Sequence, residues 1–124
     1  MQLLEDLDIV AEVLEYEEGS DKSVWGEPYL CEIKFDSSTE ELRIKIEYEL
    51  DDGQPTTFVT FMGKRDPSNP LAFNLISNKP DVDNSTIQLE TSFDGEFWYF
   101  EGYFYAHNDG KIECRDIYIN QVEP

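Results

Sequence analysis

Basic residues are scarce in this chain of 124 residues. Nine Lys and Arg stand against 28 Asp and Glu, which gives a formal net charge of −19 at pH 7. Residues 1–53 alone hold seventeen acids and four bases. A field of this sign repels phosphate backbones and anionic lipid surfaces. The composition therefore argues against direct nucleic-acid binding and against a membrane partner, and it favours a basic protein as the partner.

Histidine and cysteine, the usual ligands of structural zinc, are scarce as well. His107 is the only histidine, and with Cys31 and Cys114 it cannot complete the four-ligand Cys/His set of a structural zinc site. Residues 81–85 begin like a calcium loop, but Thr86 stands where the glycine of the sharp turn belongs. We predict neither a metal nor a cofactor.

Catalytic motifs are missing from the sequence. It contains no G-x-S-x-G elbow, no phosphate-binding glycine loop and no dinucleotide fingerprint. Two carboxylates can act as acid and base in hydrolysis, but among 28 acids a chosen pair arises by chance. The sequence predicts a protein that is not an enzyme.

Long apolar runs are also missing, so no segment reaches the length of a membrane span. Glu5, Asp6, Asp8 and Glu12 occupy the region where a secretory signal needs a basic start and an apolar core. We expect a cytoplasmic protein in which both cysteines are free, buried thiols.

Aromatic residues, in contrast, are abundant: eight Phe, seven Tyr and two Trp. Disordered acidic chains have few aromatics, so this composition indicates a packed core. The length is that of one domain, which we assign to residues 1–124.

Alternation of apolar and polar residues indicates strands through most of the chain. It is clearest over residues 42–50 and recurs over 29–35 and 87–93, and we also predict strands over 58–62, 71–77, 96–106 and 112–119. Residues 64–70 contain two prolines and are predicted to form a loop. The fold class is therefore all-β, an antiparallel sandwich or barrel of seven to eight strands.

The first segment has two interpretations. Leu3, Leu7, Val10 and Leu14 have helical spacing, whereas residues 9–16 equally fit a strand. We expect one short helix or turn near residues 2–7, followed by a strand that ends near Glu17.

Acidic residues in the first half form the candidate partner-binding patch. Its residues are Glu12, Glu15, Glu17, Glu18, Asp21, Glu47, Glu49, Asp51 and Asp52. They would make one negative surface if the first strand lay beside the hairpin of residues 40–52. A solubilising role is the simpler alternative, but a charge of about 2–8 suffices for that in a small domain.

The second candidate site is the aromatic strand of residues 97–105. Tyr99, Tyr103 and Tyr105 share one face, and Trp98 lies on the other face with Phe100 and Phe104. A strand buried on both sides in the core is the simpler alternative. Because phenol hydroxyls need partners, we predict that Trp98, Tyr99, Tyr103 and Tyr105 contact a protein partner or a ligand.

Three functions are compatible with these features. The first is an inhibitor or immunity-type protein that caps a basic partner, such as a nuclease toxin or a DNA-binding protein. Such an inhibitor could act by imitating DNA. In size, charge and lack of catalytic motifs the chain resembles immunity proteins and DNA-mimicking inhibitors. The second is a β-barrel that holds an apolar or aromatic ligand between Trp98, Phe100 and Phe104. The third is a structural subunit of a larger assembly. For the protein itself we expect a monomer or a homodimer.

Overall fold

One β-sheet closes on itself to form the molecule. The computed structural model describes residues 3–24, 26–48, 57–78, 85–108 and 111–122. The strands are β1 (Leu7–Glu17), β2 (Tyr29–Asp36), β3 (Glu41–Tyr48), β4 (Thr57–Asp66), β5 (Asn69–Ser77), β6 (Thr86–Phe93), β7 (Trp98–Asn108) and β8 (Lys111–Val122). Each strand pairs antiparallel with the next, and β8 pairs with β1. The all-β prediction is confirmed, and of the two predicted architectures the barrel is the one formed.

Alternation along each strand decides which side chains fill the barrel. In β3, Leu42, Ile44 and Ile46 are fully buried, while Arg43 and Lys45 between them lie on the outer face. Successive strand residues point to opposite sides of a sheet, so the apolar set of each strand reaches the interior together. The same alternation makes the outer face the place where polar and functional side chains collect.

Aromatic and aliphatic side chains fill the interior. Phe61, Phe73 and Phe100 are among the largest fully buried side chains and belong to one core cluster. Phe61 also meets Phe104 edge to face, with ring centroids 6.0 Å apart. An eight-stranded barrel encloses just enough space for such side chains or for one small ligand. Here the rings proposed as a ligand lining, including Trp98, pack into the core cluster.

Two glycines allow the sheet to bend sharply. A Cβ at Gly102 would collide with the backbone carbonyl of Gln88 on β6, and one at Gly63 would collide with that of Asn74 on β5. Both glycines lie on the inward side of their strands, where curvature brings neighbouring backbones closest. A glycine inside a strand indicates a bulge or a close backbone approach, and at Gly102 the structure shows the close approach.

The helix considered for the first residues is not formed within the described part of the chain. Residues 3–6 are irregular and lead directly into β1, which does end at Glu17 as predicted. The buried side chain of Leu4 joins the core, and its carbonyl accepts a hydrogen bond from Arg65 Nη2 at 2.6 Å. Val10 is exposed, because the strand period, not the helical spacing, decides which side it faces.

The loop predicted for residues 64–70 is a tight turn instead. β4 continues to Asp66 and β5 begins at Asn69, which leaves Pro67 and Ser68 as the connection. Asp66 Oδ1 accepts hydrogen bonds from the amide of Ser68 at 2.8 Å and from its hydroxyl at 2.7 Å, and these bonds lower the pKa of Asp66. The pairing register of β4 with β5 shifts at Asp66, and such an irregularity accommodates a strand proline like Pro70.

The two cysteines lie on opposite sides of the sheet and are both free. Cys31 faces the interior and is buried, as predicted, and burial raises the pKa of its thiol to about 12. Cys114 is only partly buried, which corrects the prediction for that residue. In the described ranges, no helix has the length and apolar character needed to cross a membrane.

Candidate partner-binding surface

The acidic patch predicted from the first half of the chain is divided in the structure. β2 lies between β1 and β3, so the first strand is not beside the second group of acids. Of the predicted patch residues, Glu12, Glu17, Glu18 and Asp21 are exposed, Glu47 is half-buried, and Glu49, Asp51 and Asp52 lie outside the described residues.

Basic side chains interrupt the charge of this region. Arg43 Nε lies 2.9 Å from Glu41 Oε1, and Lys45 Nζ lies 4.0 Å from Glu32 Oε2. Lys45 also sits 4.6 Å from the centroid of the Phe58 ring. The outer face of β2 and β3 is therefore a surface of mixed sign, not a continuous negative patch.

Glu15 must be removed from the predicted patch, because its side chain is inside the barrel and 0% exposed. Its Oε1 atom accepts a hydrogen bond from the Tyr48 hydroxyl at 3.1 Å, and its Oε2 atom accepts one from Arg115 Nη1 at 3.4 Å. A carboxylate enclosed in this way affects the stability of the barrel. It is not part of a surface that a partner can contact.

The environment of Tyr29 and Tyr48, beside Glu15, keeps their phenol groups protonated. Burial, followed by the charge of Glu15, raises the pKa of Tyr48 and the pKa of Tyr29 well above the usual range. The Tyr29 and Tyr48 rings lie 5.4 Å apart. Glu15, the two tyrosines and Arg115 form a buried polar cluster at one end of the barrel. Sequence spacing gave no indication of this cluster, because its members come from four strands.

The two faces predicted for the aromatic strand are confirmed in β7. Tyr99, Tyr103 and Tyr105 lie on the outer face, and Tyr103 is 46% exposed. Trp98 must be separated from them, because its side chain is 3% exposed and packs inside the barrel against Phe93 at 5.0 Å between ring centroids. The exposed Tyr103 is therefore open to a partner, whereas Trp98 is not.

Pairing of β7 with β8 places tyrosines and acids next to one another outside the barrel. Glu101 is directly opposite Tyr118, and Tyr103 is directly opposite Asp116. On the other side of β7, Glu90 of β6 is directly opposite Glu101. We call these five residues the acid–tyrosine face.

A groove of about 520 Å³ runs over this face. Besides the five residues named above, its lining consists of Asp66, Ala72, Phe73, Asn74, Gln88, Leu89 and Gly102. A second groove of about 420 Å³ adjoins it at Tyr118, and its other lining residues are Leu14, Tyr16, Ser20 and Asp21. Tyr16 meets Tyr118 edge to face at 5.6 Å, so the aromatic surface continues from one groove to the other.

The charge of the two grooves has one sign. Within the described part of the chain, neither groove has a Lys or Arg among its lining residues. Asp116 accepts a long hydrogen bond of 3.4 Å from the backbone amide of Gly19. Burial, with the charges of Asp116 and Glu101, raises the pKa of Tyr118, which therefore stays a neutral phenol at physiological pH.

Sequence reasoning identified Tyr103 but missed Glu90, Glu101, Asp116 and Tyr118 as members of the same surface. These residues come from three strands and form no run in the sequence. The sequence does indicate that each of them faces outward, because each occupies a polar-side position in a segment predicted as a strand. Strand order and register were needed to bring them together.

The acids of this face are not arranged as a metal centre. For the residues that the structure describes, no group of three or more His, Cys, Asp or Glu side chains could hold a metal ion. A comparison of the chain with protein-family models, with curated proteins and with solved structures finds no match.

Proposed function

We propose that this protein is a non-enzymatic binding protein that caps a basic protein partner through the acid–tyrosine face. The observation that carries the proposal is the pairing of Glu101 with Tyr118 and of Tyr103 with Asp116 over a groove whose described lining has no basic residue. Partners with a strongly cationic surface include nucleases and DNA-binding proteins, because such surfaces neutralise phosphate. An inhibitor of that class is the function that we favour.

Charge and aromatic area would play different parts in binding. A net charge of −19 attracts a cationic partner over long distances and raises the rate of association. The exposed ring of Tyr103 and its neighbour Tyr118 supply rigid contact area, which slows dissociation once water is excluded. Neither the mixed-sign surface of β2 and β3 nor the buried Glu15 offers this combination.

A specific complex would cover the two grooves and the surface around them. A standard interface buries about 800 Å² on each partner. That is roughly a tenth of the accessible surface of 7759 Å². The two adjoining grooves, which share Tyr118, mark a continuous region on which such an interface can form.

The alternative of a ligand-holding barrel receives less support from the packing of the interior. It requires space between Trp98, Phe100 and Phe104, and these three rings belong to the packed core cluster. Native mass spectrometry of gently purified protein tests this alternative, since a bound ligand would add mass to the polypeptide.

The proposal is tested by capture of partners from a lysate of the native host at low salt, followed by elution in a salt gradient. The triple variant Glu90→Gln, Glu101→Gln, Asp116→Asn removes three charges from the acid–tyrosine face. We expect capture of one basic protein in stoichiometric amount and an association rate about tenfold lower for the variant, with a flatter salt dependence.

The matched control is Glu32→Gln, Glu41→Gln, Glu47→Gln, which removes the same charge from β2 and β3. This control should retain most of the association rate. An equal loss in both variants would contradict the assignment of the face, and recovery of no basic protein would contradict the function. Competition by duplex DNA for the captured partner is the result expected if the face imitates nucleic acid.

A further inference from the structure

We infer that the acid–tyrosine face selects arginine side chains of its partner over lysine side chains. The inference rests on the proposed function and specifies the chemistry of the partner. The guanidinium group would lie between the rings of Tyr103 and Tyr118 and would pair with Glu101 and Asp116.

The register of β7 and β8 creates the arrangement that a guanidinium needs. Glu101 and Tyr118 face each other in one row, and Tyr103 and Asp116 face each other two residues further along. Directly opposed residues have Cβ atoms about 4.5–5.5 Å apart, and residues two apart on a strand lie about 6.6 Å apart. Each carboxylate therefore has one tyrosine across from it and another beside it on its own strand.

An arginine side chain fits this alternation of carboxylates and tyrosine rings better than a lysine side chain does. Its planar guanidinium can stack on a ring and form two parallel hydrogen bonds to one carboxylate. It also loses less hydration on leaving water than an ammonium group, which is a compact point charge. Tyrosine faces attract cations within about 6 Å of the ring centroid.

The protein itself uses this combination twice, once with an exposed carboxylate and once with a buried one. Arg65 lies 4.8 Å from the centroid of the Phe35 ring, and its Nε atom is 3.8 Å from a carboxylate oxygen of Glu40. Arg115 lies 5.6 Å from the Phe104 ring and contacts Glu15. Ring and carboxylate thus hold a guanidinium together in this fold.

Cross-strand repulsion gives a second reason to expect a cation at the face. Glu90 and Glu101 are directly opposed on β6 and β7, and like charges in that position destabilise a sheet. No basic residue is among the described side chains that line the groove beside them. A guanidinium from the partner would relieve this repulsion as it binds.

The test uses three synthetic peptides with identical glycine–serine backbones and four arginines, four lysines or four citrullines. Binding to the full chain is measured by titration calorimetry at about 0.15 M salt. We expect the arginine peptide to bind at least tenfold more tightly than the lysine peptide. The citrulline peptide, which keeps the shape but lacks the charge, should not bind measurably.

Tyr103→Ser is the variant that separates ring recognition from general electrostatics, because it leaves every charge in place. It should reduce the preference for arginine to about twofold. Tyr99→Ser is the matched control, since Tyr99 is also on the outer face of β7 but does not line the groove. The control should keep the full preference, and circular dichroism should show the same fold for both variants.

Equal binding of the arginine and lysine peptides by the unaltered protein would overturn this inference and leave the proposed function standing. The same conclusion would follow if Tyr103→Ser and Tyr99→Ser behaved alike. Failure to capture a basic protein from the host lysate would overturn the proposed function, whatever the peptides show.

Discussion

At the scale of single residues, burial separates acids that look equivalent in the sequence. Glu12 and Glu15 lie three positions apart on β1, yet Glu12 is exposed and Glu15 is enclosed with Tyr48 and Arg115. The odd or even position on the strand decides this, because it determines which side of the sheet the residue faces. Charge in the sequence therefore says little about charge on the surface until the inward side of each strand is known.

We expect Glu15→Gln to lower the free energy of unfolding by roughly 1–3 kcal/mol. The amide retains an acceptor for the Tyr48 hydroxyl but removes the charge that pairs with Arg115. Urea unfolding followed by tryptophan fluorescence measures the effect. Glu12→Gln on the same strand is the control and should change stability by less than about 0.5 kcal/mol. Similar values for the two variants would show that the buried cluster contributes no net stability.

At the scale of secondary structure, alternation predicted most strands and glycine positions determine how they bend. The segment 42–50 was predicted as the clearest strand, and β3 covers Glu41–Tyr48 with the expected inward residues. The turn between β4 and β5 was predicted as a longer loop because of its prolines. Local proline content could not show that a register shift would accommodate Pro70 in the sheet.

We expect Gly102→Ala to cost about 2–3 kcal/mol of stability through overpacking. The added methyl group would meet the backbone of Gln88 and Leu89, so β6 and β7 would have to move apart. Gly19→Ala is the contrasting variant. Its methyl group would meet nothing within 4 Å, and only the positive φ of 72° opposes it. Thermal unfolding of both proteins measures the difference, and a milder effect at Gly102 would contradict the close approach of the two strands.

At the scale of the whole molecule, the interior combines an apolar core with ionisable groups that it keeps neutral. Burial raises the pKa of Cys31 to about 12, and it raises the pKa of Tyr29 and of Tyr48 as well. A raised pKa in the folded state means that the unfolded chain loses its proton first as pH increases. The folded state is therefore stabilised below the ordinary pKa values of these groups and destabilised above them.

We expect the free energy of unfolding to fall as pH rises from about 9 to 12, with a slope of up to about 1.4 kcal/mol per pH unit for each group. The decline should begin near pH 9 with Cys31 and steepen near pH 10 with the two tyrosines. Urea unfolding at pH 8, 10 and 11 measures it. Tyr48→Phe removes one of the groups and should show a shallower decline, so an identical slope in that variant would contradict this account.

Sequence alone determined the fold class, most strand positions and the sign of the electrostatic field. These properties depend on composition and on a period of two residues, which local sequence carries. Tertiary structure decided that the sheet closes, that Glu15 is buried and that Glu101, Tyr103, Asp116 and Tyr118 share one surface. Strand order and register bring these residues together, and both arise from packing across the whole barrel.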